Sequence, residues 1–192
     1  MTTYDTYYKT QNLFGEPYPE LITYMDQQPR GKVLDLGSGQ GRNAVALATM
    51  GFEVLGIDTS KLGIAQMLEV ATQHDLAVKG LVQDIYEFED FVGYIYILYD
   101  SMFHFTKRDT QREKSQVTRT IESMAEGAQL LICIQDTGTK VRVLEGVISE
   151  SSAEIIARRH FTNVFEDTES KHHSETAYQM IVVSKRGYLS GL

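Results

Sequence analysis

Between Val33 and Ser60 the chain reads VLDLGSGQGRNAVALATMGFEVLGIDTS. Gly37, Gly39 and Gly41 fall at alternate positions, where the absence of a Cβ lets a backbone turn sharply and approach a ligand closely. One acid, Asp35, precedes this loop inside an apolar run. Another, Asp58, closes the next apolar run, 21 residues after Gly37. A carboxylate at that distance can accept both hydroxyls of a ribose, the recognition logic of a nucleotide-binding βαβ unit. A glycine loop alone is weak evidence, but strand, loop, helix, strand and terminal acid in that order form a far more specific constellation. The spacing narrows the nucleotide. A dinucleotide fold places its glycines as G-x-G-x-x-G, with a helix N-terminus facing a pyrophosphate, whereas this loop is G-x-G-x-G. A nicotinamide-dependent oxidoreductase is therefore the weaker reading.

Other chemistry-bearing residues lie further along. YDSMFHF, Tyr99–Phe105, follows a fourth apolar run, and His104 within it is a candidate base, histidine being the usual side chain for that work. Asp100 is a candidate for orienting a substrate. Near the start, MTTYDTYYKTQNLFGEPYPELITYM is aromatic, with Tyr4 and Tyr8 one helical turn apart. His172 and His173 are adjacent, so on a strand they point to opposite faces. With one cysteine, Cys133, and no H-x-x-x-H pattern, no metal site is expected. Cys133 within LLICI reads as core.

These residues need a scaffold, and the hydrophobic pattern supplies one. Apolar runs at Lys32–Gly37, Glu53–Asp58, Gly80–Asp84, Tyr94–Asp100 and Ala128–Asp136 are nearly continuous, as in strands buried on both faces of a parallel sheet. Two more runs, Phe161–Glu166 and Tyr178–Ser184, flank a polar stretch and read as an antiparallel hairpin. Helices are expected at Arg42–Met50, Ser60–His74, Lys107–Glu126 and Ser151–His160, the last on the capping-box spacing of Ser151 and Glu154. Thr137–Glu150 is expected to be a loop. The expectation is an α/β fold, a doubly wound seven-stranded sheet. Its single domain runs over residues 31–192, behind an N-terminal helical segment at 1–30.

Composition bounds the rest. The 192 residues carry a net charge of −8, which argues against a nucleic-acid partner. No apolar stretch approaches the ~20 residues of a membrane span. The opening MTTYDTYYKT lacks the pattern of a secretory signal, and a lone cysteine suits a cytoplasmic location.

The acid two residues before the first glycine, the alternate glycines and the GQGRN continuation together resemble the class I S-adenosylmethionine-dependent methyltransferases. They resemble in particular the small tellurite-resistance-type and related small-molecule enzymes. The resemblance covers the chain from Gly31 to Arg186 and implies a Rossmann-like, mostly parallel sheet with a reversed strand at or near one edge. It implies S-adenosyl-L-methionine as cofactor. Gly37, Ser38, Gly39, Gln40, Gly41 and Asn43 would lie at its methionine part, with Asp35 orienting that part. Asp58 would hold the ribose, flanked by Thr59. Gln83, Asp84 and Ile85 would meet the adenine, and Tyr99 and Tyr8 the methionine end. The first 30 residues would form a lid. The amino-methylating branches carry an Asn/Asp-Pro-Pro-aromatic motif where this chain has Tyr99-Asp100-Ser101, so a small-molecule acceptor is expected, attacked in line. A noncatalytic binder of the same cofactor shares all of these residues. A homodimer is left open.

Overall fold

The structure, a computed structural model, describes residues 3–167 and 172–185. Two short helices come first, α1 (Thr3–Tyr7) and α2 (Pro19–Asp26). Then follow β1 (Lys32–Leu36), α3 (Arg42–Thr49), β2 (Glu53–Asp58), α4 (Lys61–Gln73), β3 (Val78–Val82) and a 3₁₀ turn at Ile85–Glu87. The chain continues through β4 (Tyr96–Asp100), α5 (Thr110–Ser123), β5 (Gln129–Gln135), α6 (Lys140–Ser149), β6 (Ala153–Asp167) and β7 (His172–Lys185). The strands make one seven-stranded sheet in the order β3-β2-β1-β4-β5-β7-β6. The first five are parallel, and β7 runs antiparallel to both β5 and β6. The mixed sheet and closing hairpin are those read from the sequence. Between β1 and β4 the strand order reverses, and the crevice beyond the carboxyl ends of such strands is where open α/β sheets bind ligands.

Strand alternation assigns each side chain to a face. Leu34, Leu36, Ile97, Tyr99, Leu130 and Ile132 pack under α5 and α6 with Val117, Ile121, Leu144 and Ile148. Val33, Leu98, Leu131, Cys133, Tyr178 and Met180 pack on the other face, under α2, α3 and α4 with Leu21, Met25, Leu47 and Met67. The same alternation turns Asp35, Asp100 and Cys133 toward α2 and α3.

One expectation fails. Residues 153–160 belong to strand β6, and the helix lies before them, at Lys140–Ser149, inside the expected loop. Ser151 does not cap a helix start. Its hydroxyl donates to Ile148 O at 2.7 Å and accepts from Ala153 N at 3.2 Å, closing α6 and opening β6. Val141, Leu144 and Ile148 recur at helical spacing and bury α6, while EIIARR suits an extended chain. His172 and His173 start β7 opposite Asp167 and Glu166, and their side chains lie outside the described residues, as do residues 168–171 of the hairpin.

Candidate active site

The glycine loop forms because β1 ends where three residues must leave the right-handed regions. Gly37, Gly39 and Gly41 take φ of 85°, 53° and 85°. Gly37 N and Ser38 N donate to Ile57 O at 2.8 and 3.0 Å, fastening the loop to β2. Space demands glycine as well. A Cβ on Gly37 would lie 2.2 Å from Met102 Sδ, and one on Gly39 2.6 Å from Tyr8 Oη. On α4, a Cβ at Gly63 would lie 2.7 Å from Gly39 O, so that helix too must start with a bare backbone against the loop.

Two acids bracket this loop. Asp58 accepts from Gly39 N at 3.0 Å and from Ser60 N at 2.8 Å, and Ser60 caps α4 by accepting from Gly63 N. Burial pushes the Asp58 carboxyl above its ordinary range, and those backbone donors partly hold it down. Each carboxylate oxygen has two lone pairs, so Asp58 keeps capacity for further donors. Asp35 is 1% exposed, and burial raises it to about 8, helped by the negative charge of Asp100 and opposed by Arg42. Its Oδ2 and the hydroxyl of Ser38 are buried without a hydrogen-bond partner. An unpaired buried polar atom costs ~1–3 kcal/mol, more for a charge. A ligand presenting an ammonium group and ribose hydroxyls would satisfy both acids, and the methionine and ribose parts of S-adenosyl-L-methionine fit that donor set.

The third acid lies beyond β3. Asp84 caps the 3₁₀ turn by accepting from Tyr86 N at 3.0 Å and pairs with Arg112 at 2.8 Å. Gln83 N donates to Asp58 O at 3.0 Å, which ties this corner to the ribose acid. Thr59 is exposed beside Asp58. Two other expected residues turn away. Ile85 is buried in the core beneath α5, and its carbonyl accepts from Gln116 Nε2 at 3.1 Å. Tyr99, expected at the methionine end, has its side chain on the α5 face. Its hydroxyl meets Thr120 Oγ1 at 2.9 Å and Gln116 Nε2 at 2.6 Å, so only its backbone borders the crevice.

Residues 5–14 form a strap across the loop. Gln40 is its main anchor, donating to Thr10 O and accepting from Leu13 N, both at 2.9 Å. Gln66 Nε2 donates to Tyr8 O at 3.0 Å, Ser60 Oγ to Asp5 at 2.6 Å, and Arg42 Nη1 to Phe14 O at 2.9 Å. Tyr8 is buried over Gly39, and burial and the Asp58 charge raise its hydroxyl well above the usual tyrosine range.

Arg42, unremarked in the sequence, joins several parts. Its guanidinium pairs with Asp100 and lies 4.6 Å over the Tyr18 ring. Asn43 Nδ2 also donates to Asp100, at 2.8 Å, and Ser101 Oγ at 3.0 Å. Asn43 and Asp100 thus serve each other, and Asp100 already accepts from three side chains. Tyr18 Oη shares a hydrogen bond with Ser101 Oγ at 3.2 Å. His104 is exposed, and its backbone N–H, with that of Phe105, is held by Glu113. The sequence signal for Arg42 was its place in the first turn after the glycines. Tyr18 and Glu20 could have been found from Pro19, which marks a helix start.

The sheet order, glycine loop and strand-end acids define a chain of the class I S-adenosylmethionine-dependent methyltransferase superfamily. The match to the family of tellurite resistance protein TehB runs over residues 2–143, and the chain belongs to that family. The 2-heptyl-1-hydroxyquinolin-4(1H)-one methyltransferase of Mycobacteroides abscessus is 26% identical over 152 residues, 77% of this chain and 66% of that protein. TehB of Haemophilus influenzae is 27% identical over 142 residues, 68% of this chain and 48% of its own length. The chain therefore spans less than two thirds of either relative. The crystal structure of Haemophilus TehB superposes with a TM-score of 0.75 at 20% identity, over 95% of this chain and 66% of that one. The N-methyltransferase NodS from Bradyrhizobium japonicum, in complex with S-adenosyl-L-homocysteine, gives 0.74 at 12% identity over 96% and 97%.

Proposed function

We propose that this protein is an S-adenosyl-L-methionine-dependent methyltransferase acting on a small-molecule nucleophile. The observation that carries the reading is the pair of buried, unpartnered oxygens on Asp35 and Ser38 beneath a glycine loop whose next strand ends in Asp58. When bound, the cofactor supplies an electrophilic methyl group on a sulfonium. The chain's own work is to bind, orient and exclude water. Loop amides and Asp35 take the methionine part, Asp58 the ribose and Asp84 the adenine. Residues 5–14 act as the lid of the first 30 residues, and Tyr8 sets an aromatic edge where a positive charge would lie. Membership of the TehB family supports this, as do a relative named for methylating a hydroxyquinolinone and a neighbour crystallised with the demethylated cofactor. Among the described residues no helix is long and apolar enough to cross a membrane, and Cys133 is a buried free thiol, which suits a cytoplasmic setting.

Calorimetry with S-adenosyl-L-homocysteine tests the reading. The wild type should bind, and Asp58→Ala should weaken binding at least about tenfold, the loss of a charge-assisted hydrogen bond of ~1.5–3 kcal/mol. A wild type that binds neither the cofactor nor its product would end the proposal.

A further inference from the structure

Among the described residues, four side-chain atoms are buried without a hydrogen-bond partner: Oδ2 of Asp35, Oγ of Ser38, Oδ1 of Asn43 and Oε2 of Glu20. The first two belong to the cofactor cradle. The other two come from different elements, and Asn43, expected at the methionine part of the cofactor, is instead turned to Asp100. Asn43, 5% exposed, gives its amide nitrogen to Asp100 and keeps its oxygen unpaired. Glu20 stands in the first turn of α2, two residues after Tyr18, which reaches Ser101 at the carboxyl end of β4.

Several observations gather these groups at one place. Cys133 pairs across the sheet with Asp100 and with Met180, and its thiol feels the charges of Asp100, Arg42, Glu20 and Asp35 together. Tyr178, on the same face of β7, brings its hydroxyl to 3.5 Å from Ser101 Oγ. The rings of Tyr18, Phe161 and Tyr178 pack with centroids 4.7, 5.3 and 5.6 Å apart and make an aromatic wall beside them.

The other carboxylates nearby are committed. Asp100 is taken by Arg42, Asn43 and Ser101, Asp136 accepts from Gln179 Nε2 at 2.9 Å, and Glu113 holds the two backbone donors of His104 and Phe105. Glu20 alone among these keeps a buried oxygen to spare. Arg42, the cation of the cluster, is neutralised by Asp100, so nothing there favours an anionic acceptor. One buried oxygen of the half-buried Glu20 and the amide oxygen of Asn43, both without donors, favour a molecule that brings its own N–H or O–H.

We propose that Glu20, Asn43, Tyr18 and Tyr178 form the acceptor subsite, that the acceptor is a neutral hydroxyl or amino compound on an aromatic body, and that Glu20 receives its proton. The inference rests on the methyl-transfer reading above. As the acceptor oxygen or nitrogen forms its bond to the methyl carbon, the carbon–sulfur bond breaks and its electron pair returns to sulfur, leaving a neutral thioether. The acceptor proton passes to the Glu20 carboxylate.

The test uses 4-nitrophenol, whose neutral and anionic forms absorb differently, titrated into protein saturated with S-adenosyl-L-homocysteine. The wild type should bind the neutral form. Glu20→Gln should keep its affinity for S-adenosyl-L-homocysteine within about twofold while binding neutral 4-nitrophenol about tenfold more weakly. In turnover with hydroxyl and amino acceptors, Glu20→Gln should lower kcat on the order of 10²-fold and flatten the acidic limb of the pH profile, and Glu20→Asp should restore part of it. A Glu20→Gln variant that binds and methylates phenols like the wild type would overturn the proposal, as would preferential binding of the phenolate by the wild type. Loss of S-adenosyl-L-homocysteine affinity in both Glu20 variants would equally count against it, since that is what a purely structural role gives. Failure of the wild type to bind S-adenosyl-L-homocysteine is a separate result and removes the methyltransferase reading itself.

Discussion

Asp35 is an acid placed where charge is expensive, with Asp100 and Asp58 as negative neighbours and Arg42 as the nearby cation. Its folded value of about 8 lies well above the ~3.9 of an unfolded chain. The folded protein therefore binds this proton more tightly than the unfolded one. The resulting stability is complete below about pH 4 and is lost as pH rises toward 8. The ligand-free protein should melt at progressively lower temperature from pH 5 to pH 8, and Asp35→Asn should flatten that slope. Binding of S-adenosyl-L-homocysteine near pH 7, which brings an ammonium group, should release a proton, visible as a buffer-dependent enthalpy in calorimetry. An identical melting slope in Asp35→Asn would show that the titrating group lies elsewhere. Asp58 and the three glycines were legible in the sequence because each answers a local demand, a left-handed turn or a strand end, and Asp35 because an acid inside an apolar run stands out. Arg42 and Glu20 were not, because their meaning comes from partners brought near by the fold. Arg42 stands 58 residues from Asp100, and a cation on a helix reads by itself as solvated surface.

At the scale of elements, the strap over residues 5–14 is held to the loop by side chains, with Gln40 serving both. Gln40→Ala removes two hydrogen bonds at 2.9 Å to strap backbone, each worth ~0.5–1.5 kcal/mol net. The expected outcome is faster dissociation of S-adenosyl-L-homocysteine in stopped-flow measurements, on the order of 5–150-fold, with hydrogen exchange rising over residues 5–14 and little change in β1 or β4. Uniform loosening of the whole sheet would contradict a local latch. The exchange of helix and loop around residues 137–160 shows where pattern reading loses its grip. Ser151 and Glu154 had the spacing of a helix start, yet the same hydroxyl serves equally well at a helix end, and only the burial of Val141, Leu144 and Ile148 decides between them.

For the molecule as a whole, the two cores on either side of the sheet make the strand framework legible from its apolar runs. Acceptor recognition was not legible, since it is assembled from α2, the ends of β4 and β5, and the β6–β7 hairpin, which are distant in sequence. A ligand at the switch point between β1 and β4 ties the two halves of the sheet together. Saturation at about 100 times Kd adds ~2.7 kcal/mol to the folded state. With S-adenosyl-L-homocysteine at that level, Tm should rise by roughly 5–11 °C in a thermal-shift measurement.

Tyr8, sealed over Gly39 by the strap, carries a consequence for the order of events in turnover. A ligand lying under that side chain must arrive first and depart last, because the path outward runs through the segment that closes behind it. Initial-rate kinetics should then be compulsory-order. S-adenosyl-L-homocysteine should compete with S-adenosyl-L-methionine and inhibit noncompetitively against the acceptor, and the methylated product should leave while the spent nucleoside is still enclosed. A random-order pattern would mean that the strap opens on every encounter.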